Sequence, residues 1–93
     1  MFAFNRVNKL GFQYHLTEMS DGQVSIRMSD KSLIVRADIH ELNQAWYYWM
    51  NGAFIQDAFH MLSDAEREFL MSGLLPAEFD EIFKEKEDAD DQA

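Results

Sequence analysis

The sequence predicts an α+β fold, an N-terminal three-stranded antiparallel meander covered by three or four C-terminal helices. Three observations carry this expectation. Two stretches between Phe12 and Met28 alternate apolar with polar residues, and Leu33-Ile34-Val35 adds a run rich in β-branched side chains. From Asp38 to Phe83 the period changes to that of amphipathic helices punctuated by cap residues. That second stretch also holds both tryptophans, five of the eight phenylalanines and two of the three tyrosines, so the core is expected to be organised around it.

The opening residues Met1–Leu10 carry a weak signal. Phe2 and Phe4 alternate with Ala3 and Asn5, which suits a short strand but does not define one. Gly11 is the first clear break. Phe12, Tyr14 and Leu16 then alternate with Gln13, His15 and Thr17, the pattern of a half-buried strand. Ser20-Asp21-Gly22 supplies hairpin chemistry, and Val24, Ile26 and Met28 repeat the alternation on the return. A second turn at Ser29-Asp30-Lys31 leads to Leu33-Ile34-Val35. The expected apolar face is Phe12, Tyr14, Leu16, Val24, Ile26, Met28, Leu33 and Val35, with His15, Thr17, Arg27 and Arg36 facing water. A small sheet with one apolar face needs a cover, which the helices provide.

Asp38 stands as the N-cap of the first helix, with Glu41 three residues on in a capping-box-like arrangement. Ile39, Leu42, Trp46, Trp49 and Ala53 form one stripe, and Asn51-Gly52 marks an end or a kink. Ala53 to Leu62 is periodic again, with Ile55, Phe59 and Leu62 on one side. Ser63-Asp64-Ala65-Glu66 is a capping box for a third segment that turns Ala65, Phe69 and Leu70 inward and ends at Ser72-Gly73. Pro76 suits the first turn of a last short helix anchored by Phe79, Ile82 and Phe83. Residues 1–83 are therefore expected to form a single domain, and the acidic residues 84–93 a disordered tail, because they lack the apolar groups that offset ordering entropy.

Composition narrows the function. A chain of 93 residues suits one domain that buries roughly 60–65% of its unfolded surface. Cysteine is absent, which excludes disulfides, thiolate chemistry and cysteine zinc sites and is compatible with a cytoplasmic location. No apolar run approaches the ~20 residues of a membrane span, and the N-terminus has no signal-peptide pattern. A net charge of −9 argues against direct binding to nucleic acid, which needs clustered Lys and Arg. The charge is uneven. Residues 1–56 carry five acids and five bases, whereas residues 57–93 carry twelve acids against Arg67, Lys84 and Lys86. One reading is solubility plus an acidic tail; the other is an acidic face that attracts a basic partner.

No catalytic motif stands out, so the chain is expected not to be an enzyme and to need no cofactor. The three histidines, His15, His40 and His60, sit in no catalytic or metal-binding spacing. Asp57 and His60, with Asp64 nearby, are at most a weak metal site, and a solvated polar face is the default. Paired acids for proton transfer need one buried member, yet Asp64, Glu66, Glu78, Asp80 and Glu81 lie at helix starts where the macrodipole favours them. The run Trp46-Tyr47-Tyr48-Trp49 is more informative. Consecutive helical residues point about 100° apart, so Tyr47 and Tyr48 cannot face the core that Trp46 and Trp49 enter. They either pack on a neighbouring helix or the Phe2/Phe4 segment, or they form a contact patch. Met50, Met61 and Met71 extend such a patch or fill gaps in the core. The candidate partner-binding residues are Tyr47, Tyr48, Asp57, His60, Asp64 and Glu68.

Taken as one string, Trp46, Trp49, Asn51-Gly52, Ile55-Gln56, Ala58-Phe59, Leu62-Ser63, Glu66 to Leu70, Gly73, Pro76, Glu78 and Phe79-Asp80 resemble a motif of small bacteriophage proteins of unassigned function. The resemblance covers about the last half of the chain and omits the sheet. Its usual form has tryptophan where this chain has Phe79. It implies a context and not a reaction: a phage product in the bacterial cytoplasm that binds and modulates, as an inhibitor, a host or phage protein complex. A nucleic-acid-processing or defence complex is the partner that context suggests. Mimicry of nucleic acid ranks lower, because many of the carboxylates fall in the tail. The alternative is a structural or virion-assembly module acting through self-association as a homodimer.

Overall fold

The computed structural model describes residues 2–78 and 80–81. The expected tail over 84–93 and the expected anchors Phe79, Ile82 and Phe83 lie outside the described residues. The chain is α+β: four strands, β1 (Ala3–Val7), β2 (Gln13–Glu18), β3 (Gln23–Met28) and β4 (Lys31–Arg36), then three helices, α1 (Ile39–Met50), α2 (Ile55–Ala58) and α3 (Asp64–Ser72). Residues 76–78 and 80–81 are helical as well, with Pro76 in the first turn.

The sheet has four strands and not three, in the order β1-β2-β3-β4 with every neighbour antiparallel. The extra strand is β1, which pairs Phe4 with Leu16 and Arg6 with Tyr14. Its pattern hides it, because the residues it turns inward are Phe4 and Arg6 while Val7 is exposed. Arg6 is tolerated at this sheet edge because its guanidinium donates to Asn43 Oδ1 on α1 and lies 4.5 Å from the centre of the Phe4 ring. An inward-facing charge is one of the devices that keep an edge strand from pairing further.

A second device acts on the same edge. Phe2 O accepts from Glu18 N–H and Asn8 N–H donates to Phe12 O, so the even-numbered residues of β1 bond to β2 and Asn5 and Val7 direct their main chain outward. Arg6 Nη1 donates to Asn5 O at 2.7 Å and Trp46 Nε1 to Val7 O at 3.0 Å. Side chains thus occupy two of the three outward carbonyls of β1, those of Asn5 and Val7 but not that of Ala3.

Of the expected apolar face, Tyr14, Leu16, Val24, Ile26 and Val35 are buried and Met28 and Leu33 pack at its margin. Phe12 is the exception; it lies before β2 and is exposed. Asp21 and Ser29 hold left-handed backbone, with φ of 64° and 57°, which is what the two tight hairpins require.

The helices cover the sheet as expected. Ile39, Leu42, Trp46 and Trp49 are buried, and five rings form one aromatic cluster. Tyr14 meets Trp46 and Phe69 at 5.5 and 5.6 Å, and Trp46 and Trp49 both meet Phe59, at 5.7 and 5.8 Å. Near edge-to-face contacts of this kind add about 0.5–1.5 kcal/mol each beyond area burial.

Two local expectations change. Asp38 occupies the N-cap position of α1, but its side chain makes no cap hydrogen bond, so the box with Glu41 does not form. The second helix spans only Ile55–Ala58. Arg67 Nη1 donates to the carbonyls of Phe59 and Leu62 at 3.2 and 2.8 Å, so tertiary bonds hold the following turn where helical ones were expected. The Ser63–Glu66 capping box of α3 forms in full.

The far end of α3 is held from the sheet. Asn8, the one buried polar residue among the described residues, donates from Nδ2 to Leu70 O and Met71 O at 2.9 and 3.1 Å. Its Oδ1 accepts from the N–H groups of Leu10 and Phe12 at 2.9 and 2.8 Å. The Tyr14 hydroxyl donates to Phe69 O at 2.6 Å. The Asn8 bonds satisfy two terminal carbonyls that an α-helix leaves open, whereas Phe69 O also accepts from Gly73 N–H. Burial pushes the Tyr14 phenol up to about 12, with a smaller opposing effect from Asn8. Gly73 then closes the helix at φ 79°.

Candidate interaction surface

The buried stripe of α1 dictates what its other side shows. With Ile39, Leu42, Ala45, Trp46 and Trp49 committed to the core, a 3.6-residue repeat leaves His40, Glu41, Gln44, Tyr47 and Tyr48 in solvent. Tyr47 is 64% and Tyr48 49% exposed. Their rings meet each other edge-on at 6.0 Å. Gln44 Nε2 donates to the Tyr48 hydroxyl at 3.0 Å, and Asn51 Nδ2 to Tyr47 O at 2.7 Å. The pair stands partly pre-positioned on a helix anchored by two buried tryptophans.

The two rings divide the surface. Tyr48 borders a depression of about 240 Å³ with Glu41, Asp57, His60 and Met61. Tyr47 borders another of about 550 Å³ with Arg6, His40, Asn43 and Met50. Three of the expected contact residues, Tyr48, Asp57 and His60, therefore do come together, and Tyr47 adjoins them. Glu68 lies elsewhere, on the wall of a third depression. Asp64 is not drawn in either; it opens α3 and accepts from Arg67 Nη2, an exposed i,i+3 pair that contributes little. Among the described residues no group of three or more His, Asp or Glu is placed to hold a metal ion, so Asp57, His60 and Asp64 do not assemble into the weak site considered from sequence.

The third depression was not foreseen. It measures about 580 Å³ and lies where the β1–β2 loop and the α1–α2 connection approach α3. Leu10 and Phe54 stand on it 66% and 74% exposed, with Trp49, Ile55 and Met71 beneath and Lys9 and Glu68 at the rim. Lys9 Nζ sits 5.8 Å from the Trp49 ring centre. One signal for it was present in the sequence. Phe54 falls off the Ile55–Phe59–Leu62 stripe, so a helix reading already left it without a place in the core.

Charge separates the two sides of the molecule. From residue 37 to 81 the chain carries Asp38, Glu41, Asp57, Asp64, Glu66, Glu68, Glu78, Asp80 and Glu81 against Arg67 alone. The solvent side of the sheet shows Arg27 and Arg36, with His15 Nδ1 bonded to Asn5 Oδ1 at 2.6 Å. No helix among the described residues is long and apolar enough to cross a membrane. Comparison of the chain with known protein families, with curated proteins and with solved structures finds no match.

Proposed function

We propose that this chain is a small acidic, non-enzymatic protein that binds a protein complex and modulates it, as an inhibitor, by covering part of its surface. One observation carries the reading: among the described residues the core closes over the sheet without Tyr47, Tyr48 and Phe54, which stand in solvent on one helix and its exit loop. Tyr and Trp dominate interface hot spots because they combine large apolar area with few rotatable bonds. Leu10 and Phe54 form a second apolar area with Glu68 at its rim, and Glu41 and Asp57 stand beside Tyr48. The complementary partner offers an apolar recess ringed by Lys and Arg, whose charge speeds encounter with the helical side. The resemblance to small phage proteins points to a bacterial complex that handles nucleic acid or acts in defence, met in the cytoplasm. Direct contact with nucleic acid is disfavoured by the same acidic surface.

The test is capture of partners from a bacterial lysate on immobilised protein, followed by titration of the purified partner against variants. Tyr47→Ala/Tyr48→Ala and Phe54→Ala are expected to weaken binding by at least tenfold, roughly 1.4 kcal/mol or more, while unfolding midpoints stay within about 0.5 kcal/mol of the parent. Loss of stability with binding intact would assign these rings to folding and reject the docking surface.

A further inference from the structure

The two edges of the sheet are treated differently, and the difference points to a second interface. At β1 side chains occupy the outward carbonyls of Asn5 and Val7, and Arg6 faces inward. At β4 nothing comparable is found among the described residues. Ala37 N–H donates to Gly22 O, and β3 and β4 pair Val24 with Val35, Ile26 with Leu33 and Met28 with Lys31. The alternation of an antiparallel ladder then turns the main chain of Ser32, Ile34 and Arg36 to the open side. Ile34, at the middle of this edge, is 52% exposed among polar neighbours.

We infer that β4 pairs with β4 of a second copy of this chain, antiparallel about a two-fold axis through Ile34, to give one continuous eight-stranded sheet. The occupant is a second copy because this strand is complementary to itself. With Ile34 opposite Ile34, the register sets Leu33 against Val35 on the helix-covered face and Ser32 against Arg36 on the open one. No two basic residues oppose each other, and Arg36 comes within diagonal reach of Asp30 of the second copy. About six main-chain bonds form from the outward groups of residues 32, 34 and 36, and each Ile34 side chain loses water against its twin. A two-fold, self-matching contact of this kind closes as a dimer, and the β1 edges are discouraged from propagating it by the inward Arg6 and by the side chains on the Asn5 and Val7 carbonyls. This interface is at the sheet edge, away from Tyr47, Tyr48 and Phe54, and stands independently of the docking proposal.

The chain has no cysteine, which allows a direct test. In Ile34→Cys the two thiols meet at the axis, where paired strands hold Cα atoms about 5.5 Å apart, within disulfide range. In Ser32→Cys they are ~14 Å apart along the strands. Mild oxidation is expected to give a covalent dimer from Ile34→Cys and not from Ser32→Cys. Light scattering at about 100 µM is expected to show twice the 10.9 kDa chain mass for the parent and for Tyr47→Ala/Tyr48→Ala. Ile34→Lys, with two like charges at the axis, is expected to weaken the dimer at least about tenfold with an unchanged circular dichroism spectrum. A parent that stays monomeric, a dimer that survives Ile34→Lys, or equal cross-linking at both positions would each overturn the inference. Dimer loss on changing Tyr47 and Tyr48 would move the interface to α1 and overturn it too.

Discussion

Replacing Asn8 gives the sharpest test of how the two layers are joined. Its side chain makes four hydrogen bonds, two to carbonyls at the end of α3 and two from the β1–β2 loop. Asn8→Ala deletes all four partners at once. A buried polar group left unpaired costs about 1–3 kcal/mol. Water can reach the partly buried loop N–H groups, so the expected total is about 2–4 kcal/mol. For a domain of this length that lowers Tm by at least roughly 8 °C.

Asn8→Asp refines the prediction. It keeps the acceptor for Leu10 and Phe12 but turns a carboxylate oxygen toward Leu70 O and Met71 O. Lone pairs then face lone pairs, so at pH 7 this isostere is expected to be no more stable than Asn8→Ala. Its carboxyl is expected to titrate above the usual value in the folded state, because only the protonated form can donate to those carbonyls. A raised folded pKa gives a contribution present below the unfolded value of about 3.9 and lost as pH rises through the folded one. Relative to the parent, Asn8→Asp should therefore recover stability between pH 7 and pH 4. Urea unfolding followed by tryptophan fluorescence reads both effects. A cost below about 0.5 kcal/mol for Asn8→Ala, or an Asp variant with parental stability at pH 7, would refute the latch.

Three further outcomes follow from the same packing. Tyr14→Phe is expected to cost about 1 kcal/mol, less than Asn8→Ala, because Phe69 O keeps its bond from Gly73 N–H; it should also remove the phenol that titrates at about 12 in an ultraviolet titration. Since that pKa is raised, the matching stability is full below the normal phenol value and fades as pH climbs toward 12. Glu78 accepts from Leu75 N–H and from Lys31 Nζ, both at 2.9 Å, and these bonds, the backbone one foremost, hold its carboxyl below the usual range. Its contribution is present above the unfolded pKa and lost as pH falls through the folded one, so Leu75 amide exchange should accelerate in acid and, at any pH, in Glu78→Ala. Gly73→Ala is expected to cost about 1–3 kcal/mol in the same urea assay, from the left-handed φ of 79°, since the Met28 Cε that a Cβ would meet is the tip of a flexible side chain and can move aside.

Much of the helical cover was legible because its signals are local. The stripe Ile39, Leu42, Trp46, Trp49 needs only a 3.6-residue period, and the Ser63–Glu66 box needs four residues. The hairpins announced themselves through Asp21-Gly22 and Ser29-Asp30. What escaped depends on distant partners. β1 gave too weak a signal because Arg6 occupies an inward position that the Phe4 ring and Asn43, 37 residues away, make tolerable. The shortness of α2 follows from Arg67 reaching back to Phe59 and Leu62. At the candidate surface the geometry of α1 alone kept Tyr47 and Tyr48 out of the core that Trp46 and Trp49 enter, and left open whether a neighbouring segment covered them. The joining of Tyr48 with Asp57 and His60 needed the fold of the intervening turn, and the recess under Leu10 and Phe54 needed three separate segments.

The bonds from Asn8 and Tyr14 to α3 span 62, 63 and 55 residues of sequence, which constrains when the chain can mature. On a ribosome the sheet emerges first, with its apolar face bare and Asn8 and Tyr14 still unmatched. Loop-closure entropy must be met before those distant contacts form, so the fold is completed late, when nearly all of it has left the exit tunnel. Arrested nascent chains stopping short of Phe69 should be degraded readily by protease, and those exposing all of α3 should resist.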